Sequence, residues 1–262
     1  DGKLHAVGTE DKPIVFTGAE SVRGFWGGLR LNNTNSTDNQ LEYVTVEYGG
    51  NYYDGNLLLT GSSSNPTRVS INNCTFRQSS RYGLVSTGTV IIDGFENNLL
   101  TANQAGAASM NADHIGFLKD SSSFAANDLD IVLIPSGDIT AAASWPGIDA
   151  FYTLDTNINV HAALTIEQNA VLEFEAGNRM QVEPDGSLAV SGASGAPVFF
   201  TGVETTPGYW GGLRFYNTNT ADNVLKHEVF EYGGGYHNAN VLITGASSIP
   251  SRFAIDNCIY RS

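Results

Sequence analysis

The sequence predicts an all-β solenoid in which short parallel strands stack circuit upon circuit, and three observations carry that prediction. The stretch GFWGGLRLNNTNSTDNQLEYVTVEYGG from Gly24 to Gly50 returns without a gap as GYWGGLRFYNTNTADNVLKHEVFEYGG from Gly208 to Gly234. Extended outward, the register matches residues 1–78 to 185–262 at an offset of 184, with about half of the positions identical. Within a copy the apolar alternation slips: Val69 and Ile71 share one parity, Cys74 and Phe76 the other, with Asn73 at the change. A strand that bends sharply at one residue reverses which parity faces the core, so the slip marks a corner between two short strands. Asn at such a corner can take the left-handed conformation and bond to the Asn of an adjacent layer. Thirdly, the Leu41-to-Val46 pattern recurs at Ile71-to-Phe76, 30 residues on, and the same step separates Leu225 from Ile255. A step of this length, with neither helical crossovers nor hairpin signals, suits coils stacked roughly 4.8 Å apart.

From the start of the chain, the clusters Leu4-Ala6, Ile14-Phe16 and Trp26-Leu29 read as short strands separated by turns. Gly27 and Gly28 beside Trp26 weaken any helix there and suggest backbone passing close to a neighbouring layer. The segment 32–39, NNTNSTDN, is a polar connection rich in Asx-turn formers. Linking coils occupy 79–184, of which 79–130 is the least regular part. There Thr89-Ile92 and Asp130-Ile134 read as strands, while Ala102 to Asn111 reads as a loop or a short helix. Regularity returns with Ala163-Ile166, Ala170-Phe174, Arg179-Val182 and Ser187-Val190. The repeat leads us to expect one continuous body over 1–262. A start at Asp1 without Met and a stop inside a repeat copy suggest a piece of a longer chain, whose export signal would be lost with the rest.

Composition narrows the partners. With 27 acidic against 13 basic residues the formal charge is −14, the wrong sign for neutralising a phosphate backbone, so nucleic acid is not an expected partner. No apolar run is long enough to span a membrane. Cys74 and Cys258 occupy equivalent positions of the two copies, which a repeat array holds far apart; both read as buried thiols rather than as a disulfide.

The run LTIEQNAVLEFEAGNRMQVEPDGSLAVSGASGAPVFFTG from Leu164 to Gly202 resembles bacterial right-handed parallel β-helix proteins of the secreted or surface-anchored repeat type, as do the WGGL runs at Trp26 and Trp210, LEYVTVEYGG at Leu41 and INNCTF at Ile71. The resemblance implies a single-stranded right-handed parallel β-helix, extracellular or on the cell surface, serving as a rigid stalk or an adhesive, glycan-contacting surface without enzymatic activity. The alternative it leaves open is a carbohydrate-active enzyme, a polysaccharide lyase or glycoside hydrolase, since a fold does not choose its chemistry. A third reading is scaffold alone. Two departures stand out. Gln168-Asn169 replaces a Pro-Gly turn, and Glu228 falls where the first copy has Val44, at an inward position. Either a bulge moves Val229 into the core, or Glu228 is buried with a raised pKa beside His227 or Lys226.

Candidate sites follow from residue chemistry. Tyr48, Tyr52 and Tyr53, with Tyr232, Tyr236 and His237 in the second copy, offer flat rings with polar tips that would stack on sugars beside Asn side chains, or would shield the outside of the solenoid. Asn33, Asn35, Asp38 and Glu47 recur as Asn217, Asn219, Asp222 and Glu231. These are hard oxygen donors of the type Ca²⁺ takes, with Asn35, Asp38, Asn219 and Asp222 as the ligands and turn formation as the other explanation. No adjacent Asp pair, no Gly-His-Gly and no shared spacing among His5, His114, His161, His227 and His237 marks a catalytic or zinc centre, so no catalytic residue is assigned. The Phe253-to-Tyr260 strand, with unpaired edges, would pair end to end with another copy.

Overall fold

A computed structural model describes residues 2–261. The chain is almost all β, about 50% strand and 2% helix, and its strands form parallel sheets. It divides into two compact units, Asp1–Leu133 with Ile148–Ala150, and Ile134–Gly147 with Phe151–Ser262. Each unit holds one copy of the repeat. Among the described residues no helix is long and apolar enough to cross a membrane.

In the first unit the chain visits three sheets in rotation. The strands His5–Val7, Gln40–Glu42, Thr67–Asn72 and Val90–Glu96 form one sheet in that order. Ile14–Phe16, Val44–Glu47, Thr75–Arg77 and Leu99–Thr101 form the second. Leu29–Asn32, Gly55–Gly61, Tyr82–Gly88, Gly106–Met110 and Ile131–Ile134 follow one another in the third. The second unit repeats the plan: Ala163–Glu167, Ser187–Ser191, Asn219–Lys226 and Arg252–Asp256 adjoin in sequence order, as do Arg179–Val182, Gly212–Tyr216 and Val241–Thr244. The step to the paired neighbour ranges from 20 residues, Tyr152 on Leu172, to 35, Ala6 on Leu41.

Register puts like on like. Leu41, Ile71 and Phe95 are aligned, as are Val46, Phe76 and Leu100, and all six are buried. In the second unit Tyr152, Leu172, Phe200 and Phe230 form such a column, with Phe200 and Phe230 stacked at 4.5 Å. Burying one such side chain contributes about 1.5–3 kcal/mol, so the columns, rather than any single strand, hold the structure together.

The corners are where the parity slips predicted them. Asn73, between Thr67–Asn72 and Thr75–Arg77, has φ of 54°, and Asn97 one circuit on has 55° and donates to the Asn73 side chain at 3.3 Å. Tyr43 sits at the equivalent bend with φ of 48°, and the second copy repeats both corners at His227, 49°, and Asn257, 55°. Buried Asn side chains knit the layers. Asn103 accepts from Ser79 N–H at 3.0 Å and donates to the Phe76 carbonyl at 3.1 Å and to Asn127 Oδ1 at 3.0 Å. Such bonds satisfy the corner backbone where the sheet ladder is interrupted.

Two expectations are corrected and one open alternative, at Glu228, is decided in favour of burial. Residues 102–111 contain the strand Gly106–Met110, not a helix or a simple loop, and all five of its residues are buried. A strand buried on both faces shows no alternation, and small residues conceal its propensity. The short 3₁₀ turn Ala112–Phe117 comes after it. Glu228 lies in register with Val198 without a bulge, and Glu228, Val229 and Phe230 are all buried. The Tyr260 hydroxyl lies 3.4 Å from Oε1, while Oε2 has no hydrogen-bond partner; of the two expected neighbours only His227 acts on it, through its charge. Burial, opposed by bonds from Cys258 and Tyr260, pushes its pKa up. Cys258, finally, is only partly buried, although Cys74 is buried; both are free thiols, raised to about 11 chiefly by burial.

Candidate functional site

The recurring Asn-Asp loop forms an open hollow in each copy. In the first, of about 440 Å³, Lys3, Arg30, Asn32 and Asn33 line the wall. Lys3 Nζ closes on Asp38 Oδ2 at 2.5 Å and holds that carboxyl below its ordinary pKa. In the second copy Ser187 replaces Lys3, and the hollow, about 510 Å³, is lined by Asp185, Asn217, Asn219 and Asp222. Asp222 accepts from Thr220 Oγ1 at 2.9 Å, and Asp185 pairs with His161 Nδ1 at 3.0 Å.

Four of the remaining residues proposed for Ca²⁺ use their oxygens elsewhere. Asn33 Oδ1 accepts from Ser62 N–H at 2.9 Å, and Asn217 Oδ1 from Ala246 N–H at 3.0 Å. Glu47 and Glu231 bind Arg77 and Arg261, at 2.7 and 2.5 Å. Asn35 and Asn219 are exposed. Among the described residues no group of three or more His, Cys, Asp and Glu side chains is gathered in a way that would hold a metal ion. What these residues do together is shape the turn: Asn39 and Asn223, unremarked in the Asn-rich run, each accept a backbone N–H at 3.0 Å and donate to the Thr34 or Thr218 hydroxyl at 3.0 Å.

The aromatic candidates divide. Tyr48 and Tyr232 have φ of 60° and are half-buried, so they belong to the bend after Glu47 and Glu231. Tyr52 is 80% exposed and meets Tyr53 edge to face at 5.1 Å, with the Arg30 guanidinium 5.8 Å from the Tyr53 ring. Tyr236 is 61% exposed and meets His237 edge to face at 5.0 Å, with the Arg179 guanidinium 4.2 Å from the Tyr236 ring. One strand away Arg214 lies over Tyr216 at 4.4 Å. An exposed Tyr meeting the next residue's ring edge to face therefore recurs in both copies, with a guanidinium near each pair but from a different strand position.

The arginines are the part that residue-by-residue reading passed over. Arg179 and Arg214 lie 35 positions apart in sequence, yet Arg214 pairs in register with Gln181 and Arg179 with Gly212. The circuit from Arg179 to Gly212 brings them onto neighbouring strands. His237 is 8% exposed, and its Nε2 has no partner. Burial first, then the charges of Arg214 and Arg179, push its pKa down, so the imidazole is neutral.

One pair of carboxylates also interacts on an outward face. Glu173 is pushed up by burial and by Glu175, two residues further along, and Glu175 accepts from the Tyr209 hydroxyl at 3.3 Å.

No protein-family model, no curated protein and no solved structure matches the chain, so its function is read from these side chains alone.

Proposed function

We propose that the chain is a right-handed parallel β-helix segment of a secreted or surface-anchored bacterial protein that works without catalysis, as a rigid stalk whose outward corners contact glycans. The rotation of strands through successive parallel sheets supports the helix, and crossovers between parallel strands are right-handed in nearly all proteins. The observation that carries the glycan reading is the repeated exposed corner. Tyr52 and Tyr236 occupy equivalent positions of the two copies and present exposed rings, each with a guanidinium close by, Arg30 near Tyr53 and Arg179 over Tyr236. Pyranose rings stack on such faces while their hydroxyls bond to the polar rim.

The test is a panel of neutral and acidic polysaccharides, scored for binding and for new reducing or unsaturated ends. The expected result is binding without cleavage, weakened by Tyr52→Ala and Tyr236→Ala together. Cleavage of any sugar would overturn the reading in favour of a carbohydrate-active enzyme. That rival would place its acid and base on Glu173 and Glu175, whose interaction resembles the unequal carboxylate pairs of glycosidases. Loss of cleavage in Glu173→Gln would then establish it.

A further inference from the structure

On neighbouring strands, Arg179 of the last linking coil and Arg214 of the second repeat copy form a cationic cluster that the chain's own carboxylates leave uncovered. Arg23, Arg68, Arg77, Arg81 and Arg261 each pair with an Asp or Glu within 4.0 Å, but among the described residues no such pair involves Arg30, Arg179, Arg214 or Arg252, of which Arg179 and Arg214 lie on adjacent strands. In a chain of 27 acidic and 13 basic residues, two guanidiniums one strand apart without a counter-ion call for an explanation.

Their environment holds them in place. A Cβ added at Gly211 would fall 2.8 Å from the Arg179 Cβ and 3.1 Å from the Tyr236 Cβ, so the glycine admits the close approach of that cation to its ring. Arg179 donates to Asn157 Oδ1 at 3.4 Å. Arg214 donates from Nε to Thr244 Oγ1 at 3.1 Å and from Nη1 to Gln181 Oε1 at 3.3 Å. Each guanidinium carries five N–H donors, so these neutral acceptors leave several unused. Stacking over Tyr236 and Tyr216 fixes each plane while leaving its edge free for a planar oxyanion. Next to them, the buried Nε2 of His237 is a polar atom without a partner.

We infer that Arg179, Arg214 and His237 form a binding site for an oxyanion carried by a glycan, with the guanidiniums gripping the anionic group and Tyr236 stacking on the sugar that bears it. A uronate carboxylate and a sulfate ester share the chemistry that this site recognises. The inference rests on the glycan-contact reading and narrows it to acidic sugars. In the first copy Arg30 donates to Asn32 Oδ1 at 3.0 Å, and Tyr53 replaces His237. The unpartnered imidazole nitrogen is found at the second corner, so the acidic preference is assigned there.

Calorimetric titration with uronic-acid, sulfated and neutral oligosaccharides of equal length, in about 100 mM salt, tests it. The expected result is tighter binding of at least one acidic oligomer than of the neutral one. Arg179→Gln with Arg214→Gln should weaken that binding about tenfold or more. Arg179→Lys, which keeps the charge but not the stacked plane, should recover only part of the loss; its far-ultraviolet spectrum and melting profile serve as the folding control. The uronate and sulfate arms identify which oxyanion is preferred. Neutral oligomers binding as tightly as acidic ones, or an unchanged affinity in the double variant, would overturn the inference and leave the glycan reading standing. Absence of binding to every oligomer would overturn both.

Discussion

The two repeat copies are most alike where they are least visible from solvent. Trp26 Nε1 donates to the Glu47 carbonyl at 2.8 Å, and Trp210 Nε1 donates to the Glu231 carbonyl at 2.7 Å. Asn56 and Asn240 accept from Gly49 and Gly233 N–H at 2.9 Å in both copies. The left-handed residues match as well, Asn33 with Asn217 at 51° and Tyr48 with Tyr232 at 60°. Outward, Lys3 becomes Ser187; inward, apolar residues exchange for other apolar ones, Ala6 for Val190, Leu31 for Phe215 and Val46 for Phe230, while Val44 becomes the carboxylate Glu228. The copies therefore separate two kinds of information. Bends and buried hydrogen bonds specify the path of the chain, and the outward positions are free to carry different ligand chemistry on the same path.

The largest test of that separation uses the tryptophans. Trp210 is fully buried, stacked on Phe174 at 4.2 Å and on Phe230 at 6.4 Å, whereas Trp26 is only half-buried. Trp210→Ala should cost about 3–5 kcal/mol and Trp26→Ala distinctly less, read from denaturant midpoints at unchanged slope. Equal losses would mean that the shared indole bond, and not the stack, does the stabilising.

The buried asparagines come next. Asn39 and Asn223 each bridge three segments, receiving one backbone N–H and giving bonds to the adjoining Thr and to the carbonyl of Arg68 or Arg252. Removing the amide leaves those groups buried and unpaired. Asn39→Ala and Asn223→Ala should each cost about 2–4 kcal/mol, with amide exchange accelerating first at Leu4 and Leu188. Loss of stability without faster exchange at those positions would show that the Asn acts by shaping the turn instead.

The same contrast explains what the sequence made legible. Strand corners announce themselves as parity slips because a left-handed residue turns the chain by a fixed amount, so Tyr43 and Asn73 could be found by counting. The Gly106–Met110 strand could not, since four small residues and Met110, all buried, have neither alternation nor β-branched side chains. The Tyr236 corner was visible as aromatic residues in a loop, but its two arginines were not. Their proximity is a product of the circuit between Gln181 and Arg214, a quantity that no local motif contains. The Asn-Asp loop pointed toward a cation because Asn and Asp serve turns and ligands with the same oxygens, and only the geometry of Asp38 on Lys3 separates the two uses.

Glu228 gives the smallest expected effect and the clearest sign. Its counterpart Val44 is 1% exposed, so the backbone at this point is built to bury an apolar side chain. Burial raises the Glu228 pKa above its ordinary value, which means that the folded chain holds this proton more tightly than the unfolded chain does. The sign follows: below the unfolded value, near 4.5, both states are protonated and the residue costs nothing extra. As pH climbs from there through the folded value, stability is lost, because the folded state must either keep a proton that the solvent would take or bury a carboxylate whose Oε2 has no partner. Glu228→Val should therefore raise the melting temperature at pH 7–8, corresponding to about 1–2 kcal/mol, and Glu228→Gln should raise it less. For the Val variant the gap from the parent should narrow steadily as the pH approaches 4.5. A gap independent of pH would assign the gain to packing alone, and a gap that widens in acid would show that Glu228 is stabilised as a carboxylate, with Tyr260 as a stronger donor than its 3.4 Å separation implies.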